Sequence, residues 1–110
     1  EFEQGVTWAS VSPGWAAQRN GWVASVRSAS TPQELAAHVL SLETAMGWPA
    51  VQDSWHQERP RWAAALQAAS TEAEVARALL RLEAVTKWSA VNAGWRARRA
   101  RWVVTLSAVH

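Results

Sequence analysis

The sequence predicts an all-α fold built from tandem 40-residue, tryptophan-rich αα-hairpins, five helices in the order A-B-A-B-A that form a short helical stack or bundle. Three observations predict it. All nine tryptophans lie on one lattice of period 40: Trp8, Trp48 and Trp88; Trp15, Trp55 and Trp95; Trp22, Trp62 and Trp102. Within a unit, Trp8, Val11, Trp15, Arg19, Trp22 and Val26 follow one another at spacings of 3, 4, 4, 3 and 4, the stripe of one helix face. Two copies of a Ser-Thr-x-x-Glu capping box, at Ser30–Glu34 and Ser70–Glu74, then open a second apolar stripe.

The period extends to Val11/Val51/Val91, Arg19/Arg59/Arg99, Leu40/Leu80, Leu42/Leu82 and Glu43/Glu83. Such self-similarity marks supersecondary units that bury a continuous core only against their neighbours. The chain is therefore read as one domain, residues 1–110, with units of about 8–47, 48–87 and 88–110. Phe2-Glu3 aligns with Leu42-Glu43 and Leu82-Glu83, and His110 with Ser30 and Ser70. On this reading the chain starts on the tail of one helix and stops where another would begin, as a piece of a longer array.

Helix A is expected over roughly 8–28, 48–68 and 88–108. Seven residues at about 100° each return to within about 20° of the start, so the three tryptophans of a unit should run nearly in line. Pro13 and Pro60 are its weak points, because an interior proline loses a backbone hydrogen bond and crowds the preceding turn. Ser12 can cap a restarted helix, and Trp48-Pro49 suits a helix start. In helix B, Leu35, Val39, Leu42 and Met46, and in the next copy Val75, Leu79, Leu82 and Val85, form the buried face. Gly47 is expected to end the first B helix, with Lys87 in the same place in the second.

With 49% hydrophobic residues in 110, the chain can bury a core without covalent staples. It contains no cysteine, which excludes disulfides, thiolate metal sites and cysteine nucleophiles. No apolar run approaches the roughly 18 residues that span a bilayer, and Glu1-Phe2-Glu3 lacks the character of a signal peptide, so a soluble protein is expected. Charge is uneven: residues 1–86 carry six arginines against nine acids, whereas residues 87–110 carry Lys87, Arg96, Arg98, Arg99 and Arg101 and no acid. Such asymmetry suits an acidic or polyanionic partner for the last helix.

The tryptophans and the repeated arginines Arg19, Arg59 and Arg99 are read first as a structural ladder, each guanidinium stacked between two indoles of its own helix. Indoles left open on the surface would instead make an aromatic-lined receptor for a modified peptide or small ligand. Arg96, Arg98 and Arg101 are the candidate contacts to phosphates or to an acidic surface. For catalysis the sequence is thin, since His38, His56 and His110 share no spacing and no nucleophile triad, metalloprotease motif or phosphate loop occurs. Neither metal nor cofactor is expected. Glu43 and Glu83 read as partners for a neighbouring arginine. A non-catalytic scaffold with a protein partner follows, nucleic acid being the further candidate.

The pattern W-x3-[VL]-x3-S-T-x2-E-[LV]-A at Trp22–Ala36 and Trp62–Ala76, followed by L-x-L-E at Leu40–Glu43 and Leu80–Glu83 and then another tryptophan, resembles the helical (WHIM-like) segments flanking the DDT domain in accessory subunits of imitation-switch chromatin remodellers. The resemblance covers about 40 residues at a time. It implies a nuclear, non-enzymatic scaffold that grips a remodelling ATPase or linker DNA, with Arg96, Arg98 and Arg101 as contacts. Three regular copies with nine lattice tryptophans depart from that family's pattern.

Overall fold

The computed structural model describes residues 2–7 and 10–109, the side chain of Trp48 excepted. Its helices are α1 (Phe2–Gly5), α2 (Trp15–Ser28), α3 (Pro32–Ala45), α4 (Trp55–Gln67), α5 (Glu72–Val85) and α6 (Ala93–Ser107). Among the described residues there is no β-strand, only three isolated antiparallel bridges. The all-α hairpin reading therefore holds: α2, α4 and α6 are A helices, α3 and α5 are B helices, and α1 aligns with the last turn of the B helices.

The B helices start where their capping boxes place them. The Glu34 and Glu74 N–H groups each donate to the cap threonine Oγ1, of Thr31 and Thr71, at 3.2 Å. The returning glutamate carboxylates accept from the N–H of Ser30 and Ser70, one residue ahead of the cap, and not from the threonine's own N–H. Both helices leave through an extended residue, Met46 (ψ 137°) or Thr86 (ψ 130°), so the exit requires no left-handed residue. That is why Lys87 can stand where Gly47 stands.

The A helices are shorter than the stripe predicts. Trp48–Ala50 and Trp88–Ala90 form separate 3-10 turns, and the α-helices begin only at Trp55 and Ala93. The prolines are not the cause. The third unit has Ser89 and Ala93 where the others have Pro49 and Pro13, yet it breaks at the same place, and α4 runs through Pro60. The break arises because the residues between turn and helix spend their backbone groups on the exit of a B helix. Gly47 N–H donates to Ser10 O (2.8 Å) and Ser12 N–H to Ala45 O (2.6 Å). Forty residues on, Lys87 N–H donates to Ala50 O and Gln52 N–H to Val85 O, both at 2.8 Å. Trp8 and the side chain of Trp48, two rungs of the expected ladder, lie outside the described residues.

The same seam occurs a third time, between the two ends of the chain. Thr7 N–H donates to Ala90 O and Asn92 N–H to Gly5 O, both at 2.8 Å, around the Val6/Val91 bridge. The Asn92 side-chain amide donates to Gln4 O at 3.0 Å, while its oxygen caps α6 by accepting from Trp95 N–H at 2.8 Å. Phe2 packs on Trp95 and Trp102 with ring centroids 5.5 and 5.8 Å away. Gly5, aligned with Ala45 and Val85, lets α1 approach more closely: a Cβ there would lie 2.6 Å from Trp95 Cβ. The repeat rotation thus closes after three units into a ring. Extents of 32 × 29 × 27 Å match closure, where an open stack would be elongated.

Inside the ring α3 packs against α5, and the A helices lie around them. Leu42, Leu82, Leu66, Trp55 and Trp95 are its most deeply buried large side chains. Among the described residues, α1 lies at the third inner position. Ahead of Phe2, where α3 and α5 have their first turns, an apolar groove of about 270 Å³ opens between α2, α3, α5 and α6.

Candidate functional site

The side chains singled out by the repeat come together as three copies of one buried cluster. In each, a B-helix glutamate receives an indole N–H from the residue 12 positions on and a guanidinium Nε from the residue 16 positions on. The indole-to-carboxylate distances are 3.3 Å for Trp15–Glu3, 3.0 Å for Trp55–Glu43 and 3.3 Å for Trp95–Glu83. Those from guanidinium to carboxylate are 2.8 Å for Arg19–Glu3, 2.9 Å for Arg59–Glu43 and 2.6 Å for Arg99–Glu83. Glu3, Glu43 and Glu83 are all buried. A buried carboxylate is tolerable only when paired and hydrogen-bonded, and here a cation and a neutral donor do both.

This corrects the expected ladder. Arg19, Arg59 and Arg99 do not stack between the two indoles of their own helix, because a charge-assisted hydrogen bond to a buried carboxylate outweighs an exposed cation–π contact. The partnership of Glu43 and Glu83 with arginines is as expected. The Glu83 hydrogen bond raises the Arg99 pKa above the ordinary guanidinium value, so this cation is committed to its partner. The second and third tryptophans of each unit meet edge to face, with centroids 5.5 Å apart for Trp15–Trp22, 5.1 Å for Trp55–Trp62 and 5.0 Å for Trp95–Trp102. Trp22 and Trp62 also donate their indole N–H to a B-helix carbonyl 16 residues on, His38 O and Ala78 O, at 2.9 Å. Trp15, Trp55, Trp62, Trp95 and Trp102 are buried.

Trp88 is different. It is 55% exposed, and the guanidinium carbons of Arg96 and Arg99 each lie 5.9 Å from its ring centroid. Arg96 Nη2 donates to Trp88 O at 2.6 Å, which fixes that guanidinium beside the indole. Arg98 turns the other way, its guanidinium carbon 6.0 Å from the Trp95 ring and its Nε donating to Gly94 O at 3.3 Å. Arg101 is exposed. At about 100° per residue, Arg98 and Arg101 lie about 60° apart on one flank of α6, with Arg96 about 140–160° from both. The three candidate contacts therefore do not converge. Arg96 belongs with Trp88, an association the sequence reading missed although the eight-residue separation was in view.

Fold and clusters together define a class: a closed ring of αα-hairpin repeats, each clamped by a buried Glu-Trp-Arg cluster. The chain belongs to the family described as Domain of unknown function (DUF8799), whose model matches residues 1–47 and, a second time, residues 35–89. Both matches end just beyond a B helix, at Gly47 and shortly after Lys87. No curated protein and no solved structure matches the chain.

Proposed function

We propose that this chain is a non-catalytic helical ring that holds another protein, seating an acidic segment of that partner on the Trp88 indole beside Arg96. The observation that carries this reading is the pairing of an exposed indole with a guanidinium already held in place by Trp88 O. Arg96, Arg98 and Arg101 make no ion pair among the described residues, and no acid occurs in residues 87–110 to compete with a carboxylate ligand. Aromatic residues and arginine are also the side chains that most often anchor protein interfaces. The nuclear, chromatin-associated setting that the sequence resemblance implies belongs to the same proposal.

The test is fluorescence anisotropy with a labelled acidic peptide at low and at physiological salt. Replacing Trp88 by alanine together with Arg96 by glutamine is expected to weaken binding at least about tenfold, whereas Arg101→Gln leaves it nearly unchanged. Equal loss from Arg101→Gln, or none from the Trp88/Arg96 pair, contradicts the reading. A second reading rests on the basic balance of 87–110: contact of Arg96, Arg98 and Arg101 with nucleic-acid phosphates along the flanks of α6. It expects weak, sequence-indifferent duplex DNA binding with a log-log salt slope of about −2 to −3, abolished when Arg96, Arg98 and Arg101 are all replaced by glutamine. The melting temperature should stay nearly constant, since exposed arginines add little to stability.

A further inference from the structure

We infer that the acidic feature taken up beside Trp88 is a phosphorylated side chain, held by Arg96 and Arg99 together as a clamp of two guanidiniums. This rests on the reading that an acidic protein segment seats on Trp88 and Arg96, and it adds Arg99 to that site. The two arginines stand at i and i+3 on α6, where side chains are neighbours with Cβ atoms about 5–6 Å apart. Each guanidinium carbon lies 5.9 Å from the centroid of the same exposed indole. Each guanidinium is fixed by one nitrogen and free at the others. Arg96 spends Nη2 on Trp88 O, and Arg99 spends Nε on Glu83, which leaves both Nη groups of Arg99 without a partner among the described residues. Arg99 keeps 36% of its side chain exposed, so those donors can be reached.

A single carboxylate needs one such fork. Two forks beside one ring suit a group with more oxygens and more charge, and a phosphorylated side chain brings three strong acceptor oxygens and about −1.5 to −2 charges at neutral pH. Arginine clusters are a recurring means of recognising phosphorylated peptides. The electrostatics agree. Glu83 supplies the negative charge at the site, and it is met by Arg99 Nε and by Trp95 Nε1. Arg96 has no ion pair among the described residues, so the balance beside Trp88 is positive. A polar pocket of about 190 Å³, lined in part by Gln52, Thr86, Trp88 and Arg99, gives the phosphoryl group room. Sites for drug-sized ligands start near about 300 Å³, so this one takes the end of a side chain. Because both guanidiniums are already held, ordering them costs the complex little.

The test is fluorescence anisotropy on the full chain with labelled Gly-Ala peptides whose centre is phosphoserine, two adjacent glutamates of matching charge, or serine. The phosphoserine peptide should bind at least about tenfold more tightly than the glutamate-pair peptide, and the serine peptide should not saturate. Arg99→Lys keeps a cation for Glu83 but loses the fork. It should erase the preference for phosphoserine and leave the glutamate-pair affinity nearly unchanged, with a melting curve to show that the variant is folded at the assay temperature. A measurement on the parent chain needs no variant: the Arg99 Nε–H resonance should shift when the phosphoserine peptide is added, and that of Arg59 should not. Equal affinity for the two acidic peptides, a preference that survives Arg99→Lys, or an unmoved Arg99 resonance each overturns the inference while the Trp88–Arg96 reading stands. Binding of neither acidic peptide sinks both. Displacement of the phosphoserine peptide by duplex DNA at physiological salt would assign the clamp to a nucleic-acid backbone and overturn the inference as well.

Discussion

Trp55→Ala is expected to destabilise the ring by about 3 to 5 kcal/mol, the cost of truncating a fully buried large aromatic. Three losses coincide at this residue. It is 0% exposed, its ring meets that of Trp62 edge to face, and its indole N–H is one of the donors that satisfy Glu43. Removing the indole leaves a cavity and a carboxylate held by Arg59 alone. Because Trp55 joins α4 to α3, the loss should appear as a lower denaturant midpoint with the slope of the transition kept, not as local fraying. Trp88→Ala is the internal control: it removes an exposed ring and should stay within about 0.5 kcal/mol. A Trp55→Ala chain with near-wild-type stability would mean that the central unit is not clamped as described.

Glu43→Ala is expected to cost a comparable 3 to 5 kcal/mol or so, the usual effect of removing one member of a buried charged pair. The change deletes the acceptor of both Trp55 Nε1 and Arg59 Nε. Arg59 keeps a third of its side chain in solvent and can turn outward, so most of the penalty falls on the buried indole N–H and on the void. Glu43→Gln, which keeps the shape and one acceptor oxygen, should cost clearly less. The same substitution at Glu83 is predicted to be milder than at Glu43, because Glu83 Oε1 is already without a hydrogen-bond partner among the described residues. Combining Trp55→Ala with Glu43→Ala should give less than the sum, since the two residues share one cluster. Chemical denaturation of the single and double variants decides this, and strict additivity would contradict a shared cluster.

How far the sequence could be read follows from the range of each interaction. The helical period, the hairpin unit and the starts of α3 and α5 depend on contacts within a few residues, and the capping boxes name them outright. The Glu-Trp-Arg clusters depend on contacts 12 and 16 residues apart, which no helical periodicity encodes. Their signal was nonetheless present, because Glu3-Trp15-Arg19, Glu43-Trp55-Arg59 and Glu83-Trp95-Arg99 recur at identical spacing. The shortening of the A helices was hidden because the stripe of Trp8, Val11 and Trp15 fits a helix whether or not the backbone between them is helical. Its competitor, the bridge to a B-helix exit, spans 35 residues at Val11–Met46 and Val51–Thr86.

Ring closure lay furthest from view. A repeat pattern fixes which surfaces meet, but not the rotation from unit to unit, and that rotation decides between an open superhelix and a ring. The deciding contacts join residues 85 and 88 apart, at Val6–Val91 and Asn92–Gln4. Only Gly5 hinted at them, as the smallest residue at a position that is alanine or valine in the other copies. The basic candidates divided for a similar reason. Arg96, Arg98 and Arg101 are neighbours in the sequence, but α6 turns them to different flanks, and only Arg96 meets the exposed indole.

The closed ring is tested most directly by a disulfide between Val6→Cys and Val91→Cys, in a chain that has no other cysteine. These residues form a non-hydrogen-bonded antiparallel pair, whose Cα atoms lie about 4.5 Å apart, within the range a disulfide can bridge. The pair Val11→Cys and Met46→Cys, in the equivalent seam of the first unit, is the positive control. Under mild oxidation at low protein concentration, both double variants should form an intramolecular disulfide to a similar extent and keep the helical circular dichroism of the parent. If the control closes while the Val6/Val91 pair stays reduced or links only between molecules, the units form an open stack, and the ring is contradicted.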